Sequence, residues 1–572
     1  MTASTHWLAT ASGQAVLERG GNAFDAAVAC AFVLHVVEPH LNGPGGDLVG
    51  LFATADAPGA PVVLMGQGPA PAGATIEHYR AEGLSLVPGA GALAAAVPGA
   101  VDAWLLLLRD HGTWELADAL AFAIGYARDG HPLLDRVAAT IGRVAGLFAE
   151  HWPTSVELWM PSGRPPAAGE RFANPRLADT LERLVAAGTG RTREARIDAV
   201  REEWSSGFVA RAIEDFVSTP HRHDTGGDHA GVLTASDLAA FRAGYEAPVR
   251  LDFRGRTIVK AGAWSQGPAL LQMLGILDGL PDDRLDPSTA LGVHTILEAE
   301  KLALADRDAY YGDTADVPLD GLLSAEYAAE RRALIALAAS HEFRPGSPAG
   351  RSPFLAPLVL AEGVEAPGEP TVARTGETKG DTCHLDVIDR WGNIVSVTPS
   401  GGWLQSSPAI PDLGFCLGTR LQMTWLVEGA PSSLAPGRRP RTTLSPTLVL
   451  RDGRTVSTLG TPGGDQQDQW QLPYLLRTIV GGYSPQEAID APSFHTTSFP
   501  DSFWPRSWVP GGAVVESRLG TEVVAELRSR GHVVTESGDW SLGRLSSVGI
   551  EPDGQLFAAA NPRGGQGYAA GR

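Results

Sequence analysis

Residues 341–381 divide this chain into two kinds of sequence, and the division constrains the fold more than any other feature. The stretch carries Pro345, Gly346, Pro348, Gly350, Pro353, Pro367, Gly368, Pro370, Gly376 and Gly380, with little helical pattern. A connection of this length inside a compact domain is either functional or a linker. Before it, the chain is rich in Ala. Apolar residues recur at helical spacing over 100–110, 115–128, 176–187, 192–216, 268–279, 290–310 and 324–338. The strongest helix signal follows Asn22, a good cap with Asp25 three residues on. The apolar run to Val37 covers nearly every face, which predicts a buried helix ending before Glu38-Pro39. Thr234-Ala-Ser-Asp237 reads as another helix start.

Beyond position 381 the pattern becomes extended. Runs at 384–389 and 393–400 flank Arg390-Trp391-Gly392, and similar pairs surround Asp452-Gly453 and Asp553-Gly554. An earlier pair over 248–260 turns at Arg254-Gly255-Arg256. Each is a hairpin pattern with turn residues that tolerate positive φ. Helices before and among antiparallel hairpins predict an α/β chain of stacked sheets under helical layers.

Composition narrows the function. With 572 residues, 44% hydrophobic and 19% charged, the chain has ample material for a core. A net charge of −20 repels phosphate backbones, so nucleic acid is excluded as the main partner. No window reaches the roughly 18 uncharged apolar residues of a membrane span. The first seven residues lack the basic and apolar regions of a signal peptide, so a cytoplasmic location is expected. Cys30, Cys383 and Cys416 form no disulfide framework and have no metal-ligand spacing.

The loop ends in Gly380-Asp381-Thr382-Cys383-His384, directly before a strand. This arrangement suits a self-cleaving hydrolase whose threonine attacks its own preceding carbonyl and is released as a new N-terminus. The freed amine, with an ordinary pKa of about 7.7–8.0, then serves as base for the adjacent hydroxyl. On the tripeptide alone, an ordinary strand threonine is the simpler reading.

A wider set of motifs changes that balance. Gly20-Gly-Asn-Ala-Phe-Asp-Ala-Ala-Val-Ala29, Glu38-Pro-His40, Gly43-Pro-Gly-Gly46 and Val97-Pro-Gly99 are followed by Ala303-Leu-Ala-Asp-Arg307. Leu434-Ala-Pro-Gly437, Gly460-Thr-Pro-Gly-Gly464 and Asn561-Pro-Arg-Gly-Gly565 complete the series. In their order and number they resemble the gamma-glutamyltransferase family along nearly the whole chain. The resemblance implies a four-layer αββα N-terminal nucleophile fold, cleaved into 1–381 and 382–572, whose two chains stay associated. It implies Thr382 as the nucleophile and Ser400 as the hydroxyl that holds its amine. Gly463 and Gly464 would supply oxyanion-binding amides, and Thr442 and Thr443 would be paired substrate-binding hydroxyls. No metal or organic cofactor is implied.

Departures from the family pattern bear on the substrate, a small-molecule amide. Gln67 stands near the position of the arginine that grips a glutamyl carboxylate, and Gly402 stands where an asparagine is usual. Gly418-Thr-Arg-Leu-Gln-Met-Thr424 replaces an acidic segment that holds the glutamyl amine. Arg420 in that segment is either a carboxylate anchor or a surface arginine, and Trp403 either narrows the pocket or packs in the core. A short acyl group bearing its own carboxylate fits such a site, as in the oxamate amidohydrolases of the family. A γ-glutamyl peptide such as glutathione is the alternative substrate, and a catalytically inactive binding protein is the alternative from another class. A metal-dependent rival rests on His221, His223 and His229, which with Asp224 and Asp228 sit in a Gly-rich loop where a solvated role is favoured. The acids at 298/300 and 306/308 point apart on a helix and are expected to be solvated or structural.

Overall fold

The computed structural model of the chain describes residues 1–223, 226–361, 382–563 and 567–571. Thirteen strands build its centre. In chain order they are β1 (Thr2–Ser4), β2 (Asp47–Ala53), β3 (Val62–Gly66), β4 (Gly244–Glu246), β5 (Val249–Phe253) and β6 (Arg256–Lys260). Then come β7 (Leu385–Ile388), β8 (Ile394–Ser400), β9 (Thr447–Arg451), β10 (Arg454–Leu459), β11 (Ser546–Ile550), β12 (Leu556–Ala560) and β13 (Tyr568–Ala570). One antiparallel sheet has the order β13-β1-β7-β8-β2-β3-β4, and the other β12-β11-β10-β9-β6-β5. Each sheet joins strands from both sides of position 381, so the two parts of the chain build one fold.

Alternation along the strands sorts side chains between two faces. In β2, Leu48 and Phe52 point to helices outside, whereas Val49 and Leu51 meet Val259, Leu448 and Leu450 of the opposite sheet. The outer face of the first sheet is covered by α1 (Trp7–Glu18), α2 (Ala23–Val37), α3 (Ala100–His111) and α4 (Leu116–Asp129). The second sheet is covered by α5 (Gly267–Asp278), α6 (Ala290–Tyr310) and α7 (Gln467–Ile479). The result is helix, sheet, sheet, helix. All four hairpins turn where the sequence places them; Arg254, Asp452 and the glycines after them have positive φ, as does Gly554.

The cap before α2 closes as a reciprocal box between Asn22 and Asp25, and all 15 residues of the helix are buried. Thr234 and Asp237 form the same box before a short helix. The pattern over 192–216 is two helices, Arg193–Ser206 and Phe208–Val217, because the backbone leaves helical geometry at Gly207. The pattern over 324–338 ends early, at Arg332. α1 and α7 carry no strong sequence signal, and α7 contains Pro473. The largest correction concerns α6. Glu298, Glu300, Asp306 and Asp308 are all buried, so of the two expected readings the structural one holds and the solvated one does not. Three of them are paired: Lys301 of the same helix and Arg344 reach Glu298, Arg331 reaches Asp306, and Arg441 reaches Asp308.

Candidate active site

Strand parity carries the candidate nucleophile into the space between the sheets. Thr382 lies three residues before β7 and bridges Ser400 at the end of β8, and its Oγ1 donates to Ser400 Oγ at 3.2 Å. The neighbouring Cys383 points the other way, into the core that contains α2. Ser400 pairs in turn with Asp47 of β2, and one residue beyond the Leu48–Gly66 pair of the next ladder stands Gln67. Four strand ends therefore line up Thr382, Ser400, Asp47 and Gln67 at one edge of the first sheet.

This edge is built on glycine contacts. A side chain at Gly46 would collide with the Ser400 and Gly401 carbonyls, and one at Gly45 with the Cys416 carbonyl. The Gly43–Gly46 motif thus lets two loops touch behind Ser400. Gly401 and Gly402 both take positive φ as the chain leaves β8.

Below Thr382, His384 is held by Thr398 Oγ1 at 2.9 Å and Asp386 Oδ2 at 3.0 Å, and Ser546 donates to the same carboxylate at 2.7 Å. The His384 ring fills the space that a side chain at Gly460 would need, which fixes the start of the Gly460–Gly464 loop. Gly463, at φ 130°, packs against the Trp470 ring where a Cβ would collide. Gln266 Nε2 donates to the Gly464 carbonyl at 3.2 Å, which holds that peptide in place. Thr442 is fixed by its amide on the Trp264 carbonyl, whereas Thr443 Oγ1 is buried without a hydrogen-bond partner.

The recognition residues behave differently from their sequence reading. Arg420 is not a surface arginine; it is buried, with Nε and Nη2 forming a bidentate pair to Asp47 at 2.6 and 2.8 Å. Only Nη1 remains, 3.6 Å from the Met423 thioether Sδ. A carboxylate anchor at Arg420 therefore meets a carboxylate already in place. Trp403 is buried, donates to the Leu41 carbonyl at 2.7 Å, and packs with Met423 and Phe503. Gln67 is buried with its amide on the Gly68 carbonyl and Oε1 without a partner.

Several residues at this site were missed in the sequence. Asp47 follows the glycine motif directly, and its place opposite Ser400 is a matter of sheet register. Glu38 accepts from Thr5 Oγ1 at 2.5 Å and from Cys383 Sγ at 3.0 Å, and Asn42 Nδ2 reaches the same sulfur at 3.1 Å. Burial and the Glu38 charge push the Cys383 thiol well above its ordinary range, so it is a neutral donor beside Thr382. Asp465, directly after Gly464, binds Arg307 and accepts from Ser502 Oγ at 2.6 Å.

The histidines of the metal rival lie in a two-stranded ribbon, His221–Arg222 with Asp228–His229, rather than a bare loop. His229 Nδ1 is 2.6 Å from Glu82, and His221 lies against Phe216. Asp224 falls outside the described residues. Among the described residues, the one set of metal-ligand types converging closely is His294, Glu298 and His532, and there Glu298 already holds Lys301 and Arg344.

Comparison with known proteins agrees with this architecture. The gamma-glutamyltranspeptidase family model matches residues 9–571. The chain is 31% identical to the glutathione hydrolase-like YwrD proenzyme of Bacillus subtilis (strain 168), over 100% of this chain and 98% of that protein. It is 32% identical, with the same coverage, to the oxamate amidohydrolase proenzyme of Klebsiella pneumoniae. The solved structure of LmbA2991HD is 55% identical and superposes with a TM-score of 0.95, over 100% of this chain and 98% of that one. The chain therefore belongs to the gamma-glutamyltranspeptidase family and is an enzyme of its N-terminal nucleophile type, acting on amide bonds by hydrolysis or acyl transfer.

Proposed function

We propose that the chain cleaves itself before Thr382 and then hydrolyses, or transfers from, a small carboxylate-bearing amide such as oxamate. The observation that carries this reading is the Thr382 hydroxyl, buried between the sheets and 3.2 Å from Ser400. After cleavage, the new amine takes the hydroxyl proton while Oγ1 attacks the substrate carbonyl. The Gly463 and Gly464 amides stabilise the oxyanion, where loss of one donor typically costs about 2.7–4 kcal/mol. The tetrahedral intermediate expels the substrate's amine, which takes the proton, and leaves an ester on Oγ1. Water or an acceptor amine then attacks that ester, releasing the acid or a new amide and restoring the hydroxyl.

Similarity to the oxamate amidohydrolase proenzyme supports the small acyl group. The site near Gln67 supports it too, since a γ-glutamyl carboxylate would meet a neutral amide there, and Arg420 is already paired with Asp47. Similarity to the YwrD proenzyme keeps a γ-glutamyl donor as the competing substrate.

Intact mass spectrometry tests the processing. Wild type is expected to resolve into about two-thirds and one-third of 60.0 kDa, the smaller piece beginning Thr-Cys-His, while Thr382→Ala stays whole. A wild-type chain that stays whole after prolonged incubation sinks the proposal. Higher kcat/KM for a γ-glutamyl anilide than for oxamate would replace the substrate and keep Thr382.

A further inference from the structure

Beside the glycine loop lies a buried group of charges that the proposed chemistry leaves unused. Arg441, directly before Thr442, donates through Nη2 to Ser502 Oγ at 2.8 Å and to Asp308 Oδ1 at 3.2 Å. Its Nη1 is buried without a hydrogen-bond partner, as is Thr443 Oγ1 two residues on. Buried donors are nearly always satisfied, so two orphans this close in sequence call for a missing partner.

The local charge says what kind of partner. Arg307, Arg441 and Arg506 gather around Asp308 and Asp465. Arg506 places Nη2 on the Gln422 and Thr424 carbonyls, at 2.8 and 3.0 Å, and stacks on Trp425. Among the described residues no carboxylate closes an ion pair with it. Asp501 adds no firm negative charge, because burial and the neighbouring Asp465 push its carboxyl well above the usual range. Three guanidinium groups thus face two carboxylates. The imbalance is felt by the arginines: burial and the Arg307 charge lower Arg441 to about 10, and burial and the Arg441 charge lower Arg506 to about 9. An anion would relieve both.

We propose that Arg441, with the Thr443 hydroxyl, binds the carboxylate of the substrate's acyl part and is the specificity-determining cation of this site. The position fits. Ser502, which Arg441 holds, donates to Asp465 next to Gly464, and Phe503 beside it packs on Trp403 and Met423. Arg420, in contrast, spends both arms of its fork on Asp47. The inference rests on the reading of a carboxylate-bearing amide, and its test is binding rather than turnover.

Oxalate binding to processed enzyme, followed by calorimetry, is the experiment. Wild type is expected to bind, Arg441→Met to lose roughly 30-fold or more in affinity, and Thr443→Val about tenfold. Thr443→Val should keep the wild-type melting temperature, because its Oγ1 makes no bond within the fold. It therefore decides the matter if Arg441→Met fails to fold or process. Wild type that binds no oxalate, or an Arg441→Met or Thr443→Val enzyme with undiminished affinity, overturns the inference. Oxamate turnover separates the two proposals. Arg441-dependent oxalate binding in an enzyme that ignores oxamate removes the substrate and keeps the subsite; oxamate turnover with oxalate binding indifferent to Arg441 does the reverse.

Discussion

Helix α2 packs directly on strands of the first sheet and α6 packs against α5 on the other side of the sheet pair, and the two helices are buried with different side chains. Every residue of α2 is buried, and its polar groups are few. Asp25 is consumed by the cap and by the Thr113 and Trp114 amides, and burial holds His35 neutral, with its pKa lowered to about 3. α6 is buried at all but Leu291 although it carries His294, Glu298, Glu300, Lys301, Asp306, Arg307 and Asp308. The first helix is held by apolar area. The second adds to its apolar contacts buried charges, some paired within the helix and others with distant segments. Buried pairs of that kind often stabilise less than apolar residues of the same size. What α6 gains is position: Arg307 binds Asp465 and the Gln266 that holds Gly464, and Asp308 binds Arg441. The charged helix is the one that reaches the site.

The largest effect expected from this contrast is at Arg307. Arg307→Met removes the direct ion pair to Asp465 and the donor to Gln266 beside the glycine loop, and should cost about 3–5 kcal/mol. Processing should slow as well, since the Gly464 peptide loses the Gln266 support that Arg307 orients. Urea unfolding in a Thr382→Ala background measures the first effect, and mass spectrometry of the otherwise wild-type chain the second. An Arg307→Met protein of unchanged stability and processing would break the contrast, because α6 would then be held as α2 is.

On α2, Leu34→Ala removes a fully buried side chain and should cost about 2–4 kcal/mol through lost transfer energy and a cavity. Here kcat/KM per folded enzyme should stay within a few-fold. A loss of turnover larger than the loss of folded protein would show that α2 also positions the site, which would narrow the difference between the helices.

The same contrast explains what the sequence could tell. The burial of α2 was legible because the signal lies in its own 15 residues. The hairpin beyond position 381 was legible from its own turn and extended runs, whereas Thr382 stood out only through the wider set of family motifs; period-two alternation sends Thr382 and Cys383 to opposite faces. The charges of α6 were not legible, because Asp308 and Arg441 are 133 residues apart. Arg420 failed for the same reason: its partner Asp47 lies 373 residues away and is set by loop packing at Gly45 and Gly46. A residue's own type announces an apolar surface, but it does not announce its counter-ion.

The smallest expected effect concerns the one acid of α6 that has no counter-ion of its own. Neither oxygen of Glu300 closes a hydrogen bond, and burial pushes the carboxyl well above its ordinary value, with the Thr496 backbone and Lys301 offsetting little. The folded chain therefore keeps Glu300 protonated where the unfolded chain ionises it. In that window the folded state binds the extra proton, so stability falls as pH rises from about 4.3, by up to about 1.4 kcal/mol per pH unit, until the folded pKa is reached. Glu300→Gln removes the titration. Its stability relative to wild type should therefore improve by up to about 1.4 kcal/mol between pH 5 and pH 6, whatever the fixed offset from burying an amide. Urea midpoints of the two chains at several pH values, in the Thr382→Ala background, measure the difference. A difference that stays flat with pH would mean that Glu300 is ionised in the fold and has a cation after all, which would make α6 paired along its whole length.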